Sequence, residues 1–217
     1  MKLVLFAGGL GTRLSEETKV RPKPMLEIGG YPILWHIMKY YSFYKINDFI
    51  ICCGYKGEQI KDYFLNYQNY NDFSIDLSNN KIKIEKKHNE NWKVTLIDTG
   101  KNTGTGGRLK NVIKYLNNKP FFLNYGDGLA DINLNTLKNF HKKNKNYTTL
   151  TAINPRSKYG QIKIKGNQVL NFNQKPKLLN NYVNGGFFIC EPEILKMIKS
   201  EEEQWEEILV KLTKINK

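Results

Sequence analysis

Gly8-Gly9-Leu10-Gly11-Thr12-Arg13, followed shortly by Arg21-Pro22-Lys23-Pro24, is a set of residue types suited to holding a polyphosphate through a reaction. The glycines come directly after an apolar run, Leu3-Val4-Leu5-Phe6-Ala7, that reads as a buried first strand. They therefore fall where a parallel sheet turns into its first helix. Without Cβ atoms, main-chain N–H groups there approach an anion closely, and Arg13 and Lys23 add positive charge. Two familiar glycine loops are excluded by spacing. No Lys-Ser or Lys-Thr pair follows Gly8 and Gly9 where a P-loop needs one, and the dinucleotide fingerprint counted from Gly9 and Gly11 meets Leu14 instead of a small residue. A plain strand-to-helix turn has no use for Arg13 and Lys23 together.

Asp127 is the next candidate. It follows the apolar Pro120-Phe121-Phe122-Leu123 and sits between Gly126 and Gly128, so it ends a buried strand at the rim of a sheet. A carboxylate there can reach hydrated Mg²⁺, which keeps several waters and takes one or two protein carboxylates plus substrate phosphates. The same residues also admit a simple turn beside Gly128, and Asp131 reads equally as an outer carboxylate or as a helix start before Ile132. His36, His88 and His141 form no pair at zinc-ligand spacing. No Gly-x-Ser-x-Gly elbow is present, which removes serine hydrolase chemistry.

Alternation of strand and helix patterns organises these candidates. Strands are expected near residues 2–7, 48–53, 93–98, 120–125, 147–153, 161–164 and 183–190. Helical spacing links Ile33, Leu34, Ile37, Met38 and Tyr41, then Ile60, Tyr63 and Phe64, then Leu109, Val112 and Leu116. Strands separated by helices imply right-handed crossovers, a mostly parallel sheet, and ligands beyond the carboxyl ends of its strands. At 217 residues and 40% hydrophobic content the chain suits one α/β domain with a sizeable core. Cys52, Cys53 and Cys190 read as reduced core residues. The net charge of +14 comes from lysines scattered among asparagines, with no arginine-rich block, so nucleic-acid binding is not expected. A basic surface would still attract anionic substrates. No apolar run approaches the roughly 20 residues of a membrane span and no leader pattern is seen, so a cytoplasmic protein with no membrane contact is expected.

The segment Gly8–Arg13 with Arg21-Pro22-Lys23-Pro24-Met25 resembles the signature of the sugar-1-phosphate nucleotidylyltransferases. Gly29–Met38, Cys52–Gly57, Asp98-Thr99-Gly100, Thr105–Lys110, Tyr125–Gly128 and Asn184–Phe188 resemble, in order, the glucose-1-phosphate cytidylyltransferases. The resemblance implies a single-domain, Rossmann-like three-layer α/β/α fold over residues 1–217, of the nucleotide-diphospho-sugar transferase type. Residues 66–91 would be an insertion or irregular hairpin and residues 200–217 a C-terminal amphipathic helix. It further implies that a phosphate oxygen of glucose-1-phosphate attacks the α-phosphorus of CTP in line, releasing pyrophosphate. Catalysis of that kind is positioning plus charge stabilisation. Arg13, Lys23 and Asp127 would be the catalytic set, with Asp127 anchoring Mg²⁺. Phe6, Ala7, Gly8, Gly9, Gly11, Thr12 and Gly126 would bind the nucleotide. Thr105, Gly107 and Arg108 would flank the base, Arg108 donating to the cytosine carbonyl oxygen; without the resemblance they read as a cap and a surface charge. Tyr159, Gly160, Gln174, Lys175, Asn184 and Gly185 would face the acceptor, Lys175 meeting its phosphate.

Two departures from the family pattern stand out. Gln174 replaces a usual glutamate, exchanging a charged acceptor for a neutral amide. The family also continues beyond the position of Lys217, through a segment supplying a second metal carboxylate, so the acceptor could be another sugar-1-phosphate or a smaller phosphorylated compound, and a non-catalytic nucleotide-binding role stays open. Trp205, Ile208, Leu209, Leu212 and Ile215 recur at helical spacing, which predicts an amphipathic helix docked on the core or on a second subunit of a homo-oligomer.

Overall fold

The computed structural model describes residues 1–11, 18–85, 90–155, 160–174 and 181–215. Its main sheet is built around β1 (Leu3–Phe6), whose residues are all buried. Short β2 (Glu27–Ile28) and β3 (Tyr31–Pro32) precede α1 (Ile33–Phe43), β4 (Asp48–Cys53) and α2 (Gly57–Leu65). A hairpin of β5 (Asp72–Asp76) and β6 (Lys81–Glu85) leads to β7 (Lys93–Asp98), α3 (Thr105–Asn111), β8 (Phe121–Tyr125) and α4 (Leu134–Asn144). Then follow β9 (Thr148–Ile153), β10 (Gln161–Lys165), β11 (Gln168–Asn173), β12 (Val183–Cys190) and α5 (Trp205–Lys214). The sheet order is β7-β4-β1-β8-β12-β9. β1 pairs in parallel with β4 and β8, β4 pairs in parallel with β7, and β12 runs antiparallel to β8. The expected α/β class with a mostly parallel sheet is what the chain forms.

Side chains alternate across β1, as the pleat requires. Val4 and Phe6 join Ile50, Cys52, Leu123 and Phe188 in a core with Leu109 of α3 and Trp205, Ile208 and Leu212 of α5. On the other face of the sheet, Tyr41 of α1 meets the Phe122 ring edge-on at 5.6 Å. Helices thus cover both faces, giving three layers. α5 is amphipathic as its periodicity predicts: Trp205, Ile208 and Leu212 are buried, while Ile215 is exposed. It carries Glu206 and Glu207 in its first turn and Lys211 and Lys214 in its last, matching the helix dipole. The helix expected through Leu116 ends sooner, because α3 passes into a 3-10 turn at Ile113–Tyr115. The tighter turn still buries Leu109, Val112 and Leu116 together.

The chain forms two compact units, Met1–Thr149 with Phe188–Lys217, and Leu150–Phe187. The second contains the β10–β11 hairpin, closed by Gly166-Asn167 with Gly166 at φ 58°. Within the first unit, the stretch expected as an insertion or irregular hairpin contains a regular one, in which Phe73 faces Ile84 and Ile75 faces Ile82. Its turn is tied by the Asp76 carboxylate, which accepts from Ser78 N (2.9 Å), Ser78 Oγ (2.6 Å) and Asn79 Nδ2 (2.7 Å).

All three thiols are buried and unbridged. Burial pushes Cys53 up to about 11 and Cys190 up to about 12, and lifts Cys52 further. The native state holds these protons where the unfolded chain releases them, so stability falls as pH rises above about 8.5. The native protein at pH 8 is expected to leave all three thiols unreacted with Ellman's reagent, and the urea-unfolded chain to titrate all three.

Candidate active site

The carboxyl ends of β1 and β8 open onto a cleft of about 190 Å³ lined by Phe6, Ala7, Gly9, Gly11, Lys23, Pro24, Thr105, Tyr125 and Asp127. Lys23 arrives there through a 3-10 turn, Lys23–Met25, set by Pro22 and Pro24 and anchored by buried Met25. Asp127 arrives through β8: Gly126 N donates to Phe6 O at 2.8 Å, which aligns the two strand ends. A Cβ on Gly126 would lie 2.7 Å from Phe6 O, so only glycine permits that approach. Lys23 Nζ and an Asp127 oxygen form an ion pair, with both side chains about 30% exposed. A carboxylate and an ammonium are thus held against one another across the cleft.

The glycine loop is anchored from both sides. Ala7 N donates to Cys52 O (3.0 Å) and Tyr55 N to Gly8 O (3.2 Å). Gly11, at φ 67°, packs on Thr18, whose Oγ1 donates to Gly11 O at 3.1 Å. Residues after Thr18 are held by Lys56 Nζ on Lys19 O and Gln59 Nε2 on Val20 O at 3.0 Å. Gly9 has open space where a Cβ would project, and it lines the cleft. Gly8 does not line it: its Cβ direction points at the Arg108 guanidinium, 2.3 Å from Nη1.

Residues expected at the base are placed in ways the sequence did not disclose. Thr105 lines the cleft, but its hydroxyl donates to Gln204 Oε1 (3.2 Å) and accepts from Trp205 N (2.7 Å). Gly107 contacts chain rather than open space, since a Cβ there would lie 2.0 Å from Glu201 O. Arg108, expected at the base, is only 3% exposed, and its guanidinium donates to the main-chain oxygens of Cys53 and Gly8. In the smaller unit, Gly160 lies against Phe172 and Gln174, where a Cβ would come within 2.5 Å of the ring and 3.2 Å of Gln174 Oε1. Asn184 Oδ1 accepts from Gly186 N at 2.8 Å, and Gly185 packs on Thr151 and Ile153. Arg13, Thr12, Tyr159 and Lys175 lie outside the described residues.

Sequence reasoning passed over two residues. Tyr125 lines the cleft and donates to Glu206 Oε1 at 2.7 Å, joining β8 to α5 at the rim. Its position just before Gly126-Asp127 was the available signal; nothing local marks Glu206. His141 is buried between Thr149 Oγ1 (2.8 Å) and Glu191 Oε1 (3.1 Å), a satisfied core histidine.

An α/β fold with a glycine loop after its first strand, and a lysine and aspartate meeting at the strand ends, defines a nucleotidyltransferase architecture. The chain belongs to the nucleotidyl transferase family, whose model matches residues 2–216. It is 49% identical over 209 residues to the glucose-1-phosphate cytidylyltransferase of Salmonella typhimurium, covering 95% of this chain and 81% of that protein. It is 40% identical over 202 residues to a probable glucose-1-phosphate cytidylyltransferase of Bacillus subtilis, covering 93% and 79%. The fold is shared with the crystal structure of HddC from Yersinia pseudotuberculosis at TM-score 0.66 and 24% identity, over 94% of this chain and 83% of that one.

Gly107→Ala is expected to push Glu201 and the start of α5 off α3, lowering urea-unfolding stability by about 1–3 kcal/mol.

Proposed function

We propose that the protein transfers CMP from CTP to the phosphate of glucose-1-phosphate, giving CDP-glucose and pyrophosphate. The observation that carries this reading is the meeting of Lys23 and Asp127 beside Gly9 and Gly11, in a chain that shares half its residues with a glucose-1-phosphate cytidylyltransferase. The acceptor phosphate is already a competent nucleophile, so no protein nucleophile is required.

Each residue has a task in that reaction. Main-chain N–H groups of the glycine loop and the Arg13 guanidinium hold the β- and γ-phosphates. Lys23 neutralises charge growing at the α-phosphate, which favours the transition state over the bound substrate. The donor set suits a hard cation: Asp127 offers an accessible carboxylate, and among the described residues no group of three or more ligating side chains competes for a softer metal. Asp127 would hold Mg²⁺ jointly with substrate phosphates, the ion supplying charge neutralisation. Lys175, Gln174 and the Asn184–Gly185 segment are assigned to the acceptor. A nucleotide sugar made this way serves a polysaccharide-building step. Among the described residues no helix is long and apolar enough to cross a membrane; a cytoplasmic setting is part of the proposal.

A homo-oligomer is part of this reading. Phe73, Ile75, Ile82 and Ile84 share one face of the β5–β6 hairpin and are 37–61% exposed, an apolar surface that a second copy would cover. Ile75→Asp is expected to shift sedimentation toward monomer while the far-UV spectrum is retained.

Pyrophosphate release with CTP, Mg²⁺ and glucose-1-phosphate tests the reaction. Lys23→Ala is expected to lower kcat by about 10²–10³ with little change in unfolding midpoint. In a thermal-shift series CTP is expected to outrank UTP, dTTP and GTP, stabilising by about 2.7 kcal/mol at a hundred times its dissociation constant. Release only with a different sugar-1-phosphate or a smaller phosphate ester would reassign the acceptor, and no shift with any nucleotide would refute the reading.

A further inference from the structure

The three-residue turn that carries Lys23 borders two cavities. Lys23 and Pro24 line the cleft, while Met25, the last residue of the turn, lines a separate and larger cavity of about 330 Å³. One wall of it belongs to α2 and the residue that follows. Gln59, Asp62, Tyr63 and Asn66 recur at i, i+3, i+4 and i+7 and so share one helix face, whereas Ile60 is buried on another. The β2–β3 hairpin supplies Glu27 and Tyr31, and its two-residue turn uses Gly29 at φ 58° and Gly30 at φ 82°. All of these residues lie in the larger unit, apart from the segment assigned to the acceptor.

The rings of this cavity are held in place by their neighbours. Tyr31 stacks on Trp35 with ring centroids 4.2 Å apart. Trp35 Nε1 donates to Tyr67 Oη at 2.9 Å, and Tyr67 Oη donates to Glu90 Oε2 at 3.0 Å. The Glu90 side chain is 4% exposed and also accepts from Lys39 Nζ at 2.9 Å. Tyr63 meets Tyr67 edge-on at 5.7 Å. Polar atoms around the rings remain available: Gln59 spends its Nε2 on Val20 O, and among the described residues neither its Oε1 nor the Asp62 carboxylate accepts a hydrogen bond. Arg21, paired with Glu27, adds a donor group. One guanidinium faces two carboxylates here, so the cavity holds no surplus positive charge for a phosphate, in contrast to the cleft with its glycine loop and Lys23. Preset phenol rings with acceptors and donors at their edges fit a pyranose, whose C–H faces pack on aromatic rings and whose hydroxyls both donate and accept.

We propose that this cavity is a second binding site, for an uncharged pyranose unit, and that its occupant braces the Lys23 turn through Met25. A free monosaccharide and the terminal unit of a glycan present the same chemistry to it. The site goes beyond the proposed nucleotidyl transfer and is tested by binding alone, so it stands or falls apart from that reaction.

Saturation-transfer NMR on the full chain with methyl α-D-glucopyranoside is expected to give a dissociation constant of about a millimolar. Tyr63→Ala is expected to abolish the transfer, and Asp62→Asn, an isosteric change at an exposed position, to weaken binding by roughly threefold to tenfold. Lys23→Ala is expected to bind as the wild type does. Maltotriose run beside the glucoside separates the sources: equal affinities mark a monosaccharide site, and tighter binding of maltotriose marks a glycan end. With the site filled, hydrogen exchange is expected to slow by about threefold at Met25 and Leu26, whose amides donate to Pro22 O (2.8 Å) and Lys23 O (3.1 Å). Absence of transfer, or transfer that survives both Tyr63→Ala and Asp62→Asn, would overturn the site. So would loss confined to Lys23→Ala, which would put the sugar in the cleft, or binding of tetramethylammonium in place of the glucoside, which would make the cavity a cation site. Unchanged exchange at Met25 and Leu26 with the glucoside bound would overturn the brace.

Discussion

Parallel strands that stop at a common rim leave their final carbonyl oxygens pointing the same way, and something must donate to them. In an open cleft water does this. Under the glycine loop the Arg108 guanidinium, reaching up from α3, donates to Cys53 O at the end of β4 and to Gly8 O and Gly100 O just beyond β1 and β7. The arrangement suits arginine because its planar fork presents several donors in fixed directions on one side chain. The glycine loop is shaped from below by that plane, from one side by Tyr55 N on Gly8 O, and from the next strand by Gly126 N on Phe6 O. What faces the cleft is the remainder: the open Gly9, Gly11, and the Lys23–Asp127 pair.

The Lys23–Asp127 ion pair holds the two proposed catalytic side chains together in the absence of substrate. Each partner is partly exposed, so their attraction is screened and modest. In the proposed reaction a polyphosphate with its cation would offer Lys23 more negative charge and Asp127 more positive charge than they offer one another. Partial exposure keeps both side chains at the rim without the desolvation cost of a fully buried pair.

Much of this was readable from the residues. The apolar Leu3–Ala7, Phe49–Cys53 and Phe121–Leu123 runs fixed strand positions, because strands buried on both faces tolerate little else. Gly9, Gly11 and Asp127 could be placed on one rim from the alternation of strands and helices, while Lys23 was marked only by its residue type beside Pro22 and Pro24. Less legible were contacts made by residues distant in sequence. The close approach of Gly107 to Glu201 and the Thr105 bond to Gln204 depend on where α5 docks, which no local pattern encodes. The inward contacts of Arg108 were hidden for the same reason: a glycine-rich helix start followed by arginine carries no local sign of them, and only the packed sheet shows the guanidinium bonded to Cys53 O and Gly8 O. The β11 strand escaped notice although Gly166-Asn167 is a two-residue hairpin signal, since its six residues are all exposed and no core pattern marks them.

The docking of α5 also governs the order in which the site comes into being. β1 emerges before the strands that flank it, cannot be paired on both sides until β8 exists, and the rim lacks Gln204 and Glu206 until the start of α5 is made. Such wide sequence separation makes closure of this cleft a late and slow event relative to the local helices. The early chain therefore carries its glycine loop in an unfinished sheet, and gains a shaped cleft only when α5 settles on α3.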